Sequence, residues 1–408
     1  MNETPRCSVM SAGNGIANVP AASFLAFALA ATIPLHGWPL SALDSLRFFW
    51  LANCVVLAWC AVALLRMPTR TGRGTIAAIG PPECVWAYVI VSLLSVATAD
   101  DLVRAGTSAV KTALFFLGTY TLVTASCRQQ GTAHRMAGIL AVGVSVCVLY
   151  AWIQRFAGAE PVSFFESPLK FGSFLAMAVP AGAIYLARSR RTGAHVGAGV
   201  LLMAALFVCA SSWAVLGILV GCFVGGVCHP VTRKRAAWAV PAAMVLVTGV
   251  AWAGYHPGLA SDAHWIEEDG RGRDLKQRYI EWQAQVNLLS DRAAVGTGTG
   301  CLNDQRSFYY GRLPKNNTIA PFDQNGWLAA ASETSLLGLA SMCWIFGHFG
   351  YVALRRLSSP IAHAAFTALA GIAIAQVASS IFYNGILVLF VMCLALIAHA
   401  PSHEDTSP

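Results

Sequence analysis

Apolar runs of about twenty residues, the length needed to cross the hydrocarbon core of a bilayer, recur along almost the entire chain. Hydrophobic residues make up 56% of the sequence and charged residues only 11%, whereas soluble domains carry about 25% charged residues. The pattern predicts an all-α, polytopic integral membrane protein with about twelve transmembrane helices. The predicted spans are 20–40, 47–65, 83–99, 108–126, 136–153, 171–187, 195–210, 213–228, 236–254, 327–353, 361–379 and 381–399.

The stretch from His195 to Cys228 contains no acid or base, so its division into spans needs an argument. A single helix of this length would extend about 50 Å at 1.5 Å per residue. That length exceeds a hydrocarbon core of about 30 Å. We therefore predict two helices separated by a tight polar turn at Ser211 and Ser212.

Basic residues are concentrated in alternate loops of this predicted topology. These loops contain no acid, and their bases are Arg66, Arg70, Arg73, Arg128, Arg135, Arg188, Arg190, Arg191, Arg233, Lys234, Arg235, Arg355 and Arg356. The intervening loops carry Asp44, Asp100, Asp101, Glu160 and Glu166. Because Lys and Arg mark the cytoplasmic side, the distribution predicts that both termini are cytoplasmic. The net charge of +8 then reflects topology and does not indicate a nucleic-acid partner.

The chain divides into three predicted regions. Residues 1–254 hold the first nine spans, and the first apolar run lacks a clean cleavage site, so it is expected to remain as a helix. Residues 326–408 hold the last three spans. Between them, residues 255–325 have the composition of a soluble protein. A loop this long is uncommon unless it is functional or disordered, and its aromatic residues favour a small ordered cap.

The predicted cap contains one amphipathic helix, "DLKQRYIEWQAQVNLL", in which Arg278, Trp282, Gln285 and Leu289 are expected to share a face. The "GTGTG" segment that follows is interpreted as a turn. Next comes an aromatic and basic turn, "YYGRLPKNNT", which includes Arg312 and Lys315. We expect these two bases either to contact a substrate or to be solvated.

The tenth predicted span opens on Asp323, Gln324 and Asn325, and Glu333 lies nine residues after Gln324. Polar groups at a helix start can cap free N–H groups and interact favourably with the helix dipole. They can also bind a polar substrate at the membrane surface. Further along the chain, Gln376 is expected to hydrogen-bond between helices.

These residues together resemble the C-terminal half of the O-antigen ligase and O-antigen polymerase (Wzy-C like) superfamily of bacterial membrane glycosyltransferases. The matching segments are Arg278, Gly296-Thr297-Gly298, Gln324-Asn325-Gly326-Trp327-Leu328, Glu333 and Leu336-Leu337-Gly338. The resemblance covers about 80 residues of the chain. In two places the sequence departs from the family pattern. Gln324 stands where ligases carry His, and Ser211-Ser212-Trp213 stands where the family often has Ser-Arg-Gly.

The resemblance implies a glycosyltransferase of the bacterial inner membrane, whose cap is periplasmic. The implied donor is a glycan on undecaprenyl diphosphate, and the acceptor is a glycan or a lipid. Other membrane proteins of polysaccharide assembly are candidate partners. The enzyme would polymerise or transfer lipid-linked units for O-antigen or exopolysaccharide synthesis. Because a carboxamide cannot take a proton near neutral pH, Gln324 argues against a ligase that uses His as its base.

Within this reaction, Arg278 is expected to stabilise the diphosphate leaving group, because a guanidinium forms bidentate bonds to phosphate. Asp323 is the candidate general base, and Gln324 and Asn325 would position hydroxyl groups. The candidate substrate-binding residues besides Asn325 are Arg271, Arg273, Arg312, Lys315, Lys170 and Glu333. No metal or other cofactor is expected, and the twelve cysteines show no C-x-x-C spacing.

A transporter or flippase for a polar solute or a lipid-linked sugar is the alternative function. Transporters place charged residues or broken helices near the middle of the membrane. In this sequence the central parts of the predicted spans carry almost no charge, and polarity gathers at one edge. The pattern therefore favours an enzyme.

Overall fold

The structure, a computed structural model, describes residues 20–33, 54–56, 58–59, 80–127, 131–159, 161–165, 167–188, 192–209, 211–228, 275–313, 325–377, 379–382 and 384–399. Within these ranges the chain forms helices and turns and no strand. The α-helices are α1 (Pro20–Thr32), α2 (Glu83–Leu94), α3 (Leu102–Cys127), α4 (Thr132–Phe156), α5 (Pro168–Ala187), α6 (Thr192–Val208), α7 (Ser212–Cys228), α8 (Leu275–Arg292), α9 (Arg306–Gly311), α10 (Gly326–Arg355), α11 (Pro360–Ala375) and α12 (Asn384–His399). One-turn 3₁₀ helices cover Ser95–Thr98 and Leu302–Gln305.

The predicted all-helical class is confirmed for the described residues, and four helices are long and apolar enough to cross a membrane. These are α3, α4, α5 and α10. Other apolar helices in the described ranges are 10–17 residues long. The predicted span 236–254 and most of the span 47–65 lie outside the described residues. A total of about twelve spans therefore stays a prediction.

The predicted division of the 195–228 stretch is confirmed. Helix α6 ends at Val208 and α7 begins at Ser212. The Ser211 hydroxyl accepts a hydrogen bond of 3.4 Å from the Ala214 N–H. A serine before the first helical residues is a good helix cap, so the polar turn both ends one helix and starts the next.

Helix α12 lies at the centre of the bundle. From Ile386 to Ile397 every side chain is at most 5% exposed, as expected for a helix that is apolar on all sides. The ring of Phe390 contacts Phe116 of α3 and Phe346 of α10. By contrast, α4 and α6 expose large apolar side chains, which are Val142, Val146, Leu149, Ile153, Val196, Val200, Met203 and Phe207. In a membrane these faces would contact lipid.

Helices α5, α7 and α11 pack closely through small residues. A Cβ atom on Gly221 would lie 2.8 Å from both Pro180 and the Thr367 carbonyl, and one on Gly217 would lie 2.6 Å from the Gly371 carbonyl. Gly217, Gly221 and Gly225 repeat at every fourth position, which is the small-xxx-small pattern of membrane helix contacts. This spacing is visible in the sequence.

Loops that the predicted topology assigns to the same side meet in the structure. Arg188 Nη1 donates to the Leu357 carbonyl at 2.5 Å, and Arg356 donates to the carbonyls of Ile397 and Ala398. These residues define the basic end of the bundle. At the opposite end, Arg104 forms a 2.6 Å ion pair with Asp304. The predicted grouping of these loops therefore agrees with the structure, while the assignment of one end to the cytoplasm stays a prediction.

Candidate substrate site at the cap end

The candidate site lies at the end of the bundle covered by residues 275–313, which we call the cap end. The α2–α3 connection reaches the same end, where Asp100 accepts a hydrogen bond from Gln305 and lies 3.8 Å from an Arg292 nitrogen. The ring centroids of Trp213, at the start of α7, and Trp282, on α8, are 6.4 Å apart. The α6–α7 turn, where this chain departs from the Ser-Arg-Gly pattern, is therefore part of the site's surroundings.

Asn325 caps helix α10. Its Oδ1 accepts hydrogen bonds of 3.0 Å from the N–H groups of both Trp327 and Leu328. The side chain is only 7% exposed. Of the two roles considered from the sequence, the structure shows the cap, because Oδ1 already has two donors. A substrate contact through the amide nitrogen of Asn325 stays a prediction.

Gln376 lies beside this helix start. Its backbone carbonyl accepts a 2.7 Å hydrogen bond from the Gly326 N–H, and the Ser379 carbonyl accepts from the same group at 2.9 Å. The Gln376 side chain is fully buried, and neither atom of its amide has a hydrogen-bond partner among the described residues. The expected interhelical bond by this side chain is therefore wrong; the backbone makes the contact instead.

Gly326 is required at the start of α10 by the closeness of that amide. A Cβ atom at position 326 would lie 2.5 Å from the Gln376 Oε1 and 2.9 Å from the Ser379 carbonyl. The glycine at position 326 thus has a steric explanation. It lets the α11–α12 connection approach the first turn of α10.

The buried face of α8 includes Gln285 but neither Trp282 nor Leu289 of the residues expected to share a face. The buried residues are Glu281, Ala284, Gln285 and Leu288, whereas the sequence placed Arg278, Trp282, Gln285 and Leu289 on one face. Trp282 and Leu289 are only partly buried. This side of the helix is buried because Ala284 and Leu288 pack in one cluster with Ala329 of α10 and with Tyr309 and Tyr310 of α9.

Gln285 is a second buried amide without a partner. Its side chain is 1% exposed, and neither its oxygen nor its nitrogen is hydrogen-bonded within the described part of the chain. Ser332 on α10 likewise has a buried hydroxyl with no partner there. Since α8 packs on α10 through Ala284 and Ala329, Gln285 and Gln376 both lie beside the first two turns of α10.

The "GTGTG" segment is a turn, as its sequence predicts. Its backbone also hydrogen-bonds to α10 beside a break in that helix. The helix is interrupted at Ser335, where φ is 72° and ψ is 177°. Around this break, the Thr297 N–H donates to the Ser332 carbonyl at 2.9 Å, and the Gly298 N–H donates to the Glu333 carbonyl at 3.0 Å. The Leu336 N–H donates to the Ala293 carbonyl at 3.1 Å. The break therefore leaves these backbone groups satisfied by the cap, as a membrane helix requires.

Alternate residues of this segment need to be glycine. Gly296, Gly298 and Gly300 have φ angles of 71°, 91° and 79°, which residues with a Cβ atom rarely adopt. Each glycine also contacts a different neighbour, because an added Cβ would meet Glu333, Ala99 or Ser108 respectively. The segment joins the cap to α10 and to the α2–α3 connection.

Glu333 lies at this junction. Burial raises the pKa of the Cys301 thiol, and the negative charges of Asp304 and Glu333 act in the same direction. Glu333 is therefore close to the cap residue Cys301, and its side chain is partly buried. This position agrees with either of the roles considered for it, pairing with a neighbouring segment or contact with a substrate.

Arg312 has partners within the cap. Its guanidinium forms a 2.6 Å ion pair with Asp291 and lies over the ring of Phe308, 4.2 Å from its centroid. Hydrogen bonds from Arg312 and from the Tyr309 hydroxyl hold the pKa of Asp291 below its usual value. The structure thus shows Arg312 ordering the cap, while a substrate contact stays a prediction.

Lys170 lies in the first turn of α5, at the cap end. Ser167 caps this helix by accepting a 3.3 Å hydrogen bond from the Lys170 N–H. One turn further, the Ser173 hydroxyl donates to the Ser379 hydroxyl at 2.5 Å. The start of α5 therefore adjoins the connection that carries Gln376, which is compatible with the predicted role of Lys170 in substrate binding.

Several predicted residues lie outside what the structure describes. Position 278 falls in the first turn of α8, but its side chain is outside the described part. The others are Arg271, Arg273, Lys315, Asp323 and Gln324. Their assigned roles stay predictions. Within the described ranges there is no cluster of three or more His, Cys, Asp or Glu residues that could hold a metal ion.

The chain matches no family model and no curated protein. Its resemblance to the O-antigen ligase and polymerase superfamily therefore rests on the motif residues alone. Over the residues that the structure describes, the fold is all-helical and includes helices that are long and apolar enough to cross a membrane. Residues 275–313, which have the composition of a soluble protein, cover the cap end of the bundle.

Proposed function

We propose that the protein is a metal-independent membrane glycosyltransferase that acts at the cap end. It joins or transfers glycan units carried on undecaprenyl diphosphate, as an O-antigen or exopolysaccharide polymerase or ligase. The observation that carries this proposal is a pair of buried amides that have no hydrogen-bond partner among the described residues. These are Gln376, whose amide lies against Gly326 at the start of α10, and Gln285 of α8, which packs on α10.

A buried amide without hydrogen bonds destabilises a fold by about 1–3 kcal/mol per unsatisfied group. Two such side chains at one polar helix start call for a binding partner that supplies donors and acceptors. Sugar hydroxyl groups do both, and a carboxamide offers two donors and an acceptor oxygen in return. A glycan therefore fits this end of the bundle better than an apolar ligand does.

Arg278 is the proposed partner of the diphosphate. Breaking the bond between sugar and diphosphate leaves negative charge on the phosphates, and a fixed guanidinium stabilises that charge without a metal ion. Support comes from the position of α8, which carries residue 278 and packs on α10 through Ala284 and Ala329. Arg271, Arg273 and Lys170 are proposed to bind the remaining phosphate and sugar oxygens.

The acceptor hydroxyl needs a group that orients it and takes its proton. We assign the proton to Asp323 and the orientation to Gln324 and Asn325, which directly precede α10. Arg312, Lys315 and Glu333 are assigned to the glycan at the edge of the cap. In the bacterial inner membrane, the donor's isoprenoid chain would stay in the bilayer while its head group enters the cap end from the periplasm.

The break in α10 favours the second candidate function, a transporter or flippase. Transporters bind ions and solutes at broken helices whose backbone groups are available. In this protein, however, the carbonyls of Ser332 and Glu333 and the N–H of Leu336 all bond to the cap backbone. The break serves to attach the cap, and this supports the enzyme over the transporter.

Purified protein supplied with an undecaprenyl-diphosphate oligosaccharide distinguishes these functions. Product length followed on a gel should show a ladder for a polymerase, or a single transfer to an added acceptor for a ligase. Absence of turnover, together with movement of the intact lipid between leaflets of a vesicle, would instead establish the transporter.

A further inference from the structure

An apolar cavity of about 70 Å³ lies between α4, α5, α11 and α12. Small residues provide much of its wall, including Ala137, Ala141, Ala181, Gly182, Ala364 and Ala365. The lining residues on α11 and α12 are buried, whereas Ala137, Ala141, Ala181 and Gly182 are partly exposed. The cavity therefore opens between α4 and α5, toward the side that would contact lipid.

Polar and cationic groups lie at one end of this cavity. Tyr185 lines it, and the Tyr185 hydroxyl is 3.1 Å from Nδ1 of the exposed His134. Arg188 follows Tyr185 by three residues at the end of α5. No acid is present in the sequence segments 131–135, 185–188 and 356–363 that surround this point.

The Arg188 guanidinium is positioned by contacts through its Nη1 atom, and its other N–H groups are available as donors. Its Nη1 donates to the Leu357 carbonyl at 2.5 Å and approaches His363 Nδ1 at 3.3 Å. His363 Nε2 lies 2.9 Å from the Gly225 carbonyl and therefore carries the proton, so Nδ1 accepts from Arg188. In the described part of the chain, Nε and Nη2 of Arg188 have no hydrogen-bond partner, and both are able to donate to a phosphate.

We propose that this cavity and its polar end form a binding site for one anionic phospholipid. An acyl chain enters between α4 and α5 and places a few methylene groups against the Ala and Gly wall. The phosphate accepts charge-assisted hydrogen bonds from Arg188, and the Tyr185–His134 pair contacts the glycerol or phosphate oxygens.

The chemistry of the site selects this ligand over others. A cavity of about 150 Å³ lined by apolar residues holds one benzene molecule, so the smaller space here suits the end of a flexible chain. Basic pockets between membrane helices bind anionic head groups on the positively charged side of a membrane protein. Arg135, next to His134 and exposed, adds to that charge.

Native mass spectrometry of the purified full-length protein tests the site, with phosphatidylglycerol and phosphatidylcholine of identical acyl chains as the added lipids. We expect one phosphatidylglycerol to be retained about tenfold more strongly than phosphatidylcholine, a difference of about 1.4 kcal/mol. Equal retention of the two lipids would overturn the proposal.

Two variants with matched controls locate the binding. Ala141→Leu fills the cavity from its exposed side and should release the lipid, whereas Val142→Leu, on the neighbouring exposed position of α4, should not. Arg188→Gln should remove the preference for phosphatidylglycerol, and Arg355→Gln, an exposed arginine at the same end, should preserve it. Unchanged retention in Ala141→Leu would refute the site even if Arg188→Gln failed to fold.

Discussion

In the proposed site, the side chain of Gln376 would serve substrate binding at the expense of stability. Its amide is fully buried against Gly326 and has no hydrogen-bond partner among the described residues. Groups of this kind lower the stability of the folded state by about 1–3 kcal/mol each. A ligand that bonds to the amide recovers that free energy only when it is bound.

Replacement of Gln376 by Met should separate stability from activity. Met has a similar shape and no amide, so we expect the free energy of unfolding to rise by about 1 kcal/mol. The KM for the lipid-linked glycan should rise as well, because a hydroxyl loses its partner. Thermal unfolding in detergent and steady-state kinetics measure the two effects. A less stable Gln376→Met protein with unchanged KM would show that the amide has a purely structural role.

Gly298 offers a second test at the residue scale. Its φ is 91°, and a Cβ atom there would collide with Ala99. We expect Gly298→Ala to lower stability by about 1–3 kcal/mol because of strain and the displaced contact. Gly311→Ala is the control, since a Cβ atom at that position meets nothing within 4 Å. Equal melting temperatures for the two variants would contradict this account.

The packing of α7 against its neighbouring helices depends on small residues. The Cβ of an alanine at Gly221 would lie 2.8 Å from Pro180 and from the Thr367 carbonyl. Because packed helices tolerate little added volume, Gly221→Ala should cost about 1–3 kcal/mol. Gly197→Ala on α6, where a Cβ atom meets nothing within 4 Å, should be close to neutral. Unfolding midpoints in a denaturant series compare the pair, and a neutral Gly221→Ala would contradict the packing described.

The connection between α8 and α9 should depend on pH. Hydrogen bonds from Arg312 and Tyr309 lower the pKa of Asp291 in the folded state, so the carboxylate contributes stability above its ordinary pKa of about 3.9. That contribution is lost as pH falls through the lowered pKa. The hydrogen-exchange protection factors of α9, which are corrected for the intrinsic slowing of exchange in acid, should therefore fall as the pH is lowered, and Asp291→Asn should make these factors less dependent on pH. The same acid response in both proteins would rule out this role of Asp291.

Helix existence was predictable from the sequence, while the contacts at the site were only partly so. Runs of apolar residues long enough for a span located α3 to α7. The length of the uncharged stretch 195–228, its polar Ser211-Ser212 pair and the positions of the basic loops together predicted the turn at Ser211. The break at Ser335 could not be inferred, because the sequence around Ser335 has a continuous helical pattern. The backbone groups beside the break bond to a cap segment that is distant in the sequence. The buried side of α8 could not be predicted for a related reason. Its buried side depends on where α9 and α10 lie, and periodicity does not specify that.

For the whole molecule, the two ends of the bundle have different chemistry. The basic end holds its loops through arginine bonds to helix carbonyls, as Arg188 and Arg356 show. The cap end holds ion pairs, capping groups and buried amides around the start of α10. Separation of this kind suits a protein that receives a polar head group on one side of a membrane while its substrate's apolar chain remains in the bilayer.

Turnover by Arg278→Lys is the most direct test of the claim that a guanidinium on α8 stabilises a diphosphate leaving group. Lysine keeps the charge and loses the bidentate geometry, so kcat for glycan transfer should fall by about 100-fold or more. Expression and the melting temperature should stay unchanged. Arg306→Lys, on α9, serves as the matched control and should retain normal kcat. Normal turnover by Arg278→Lys would contradict the proposed mechanism.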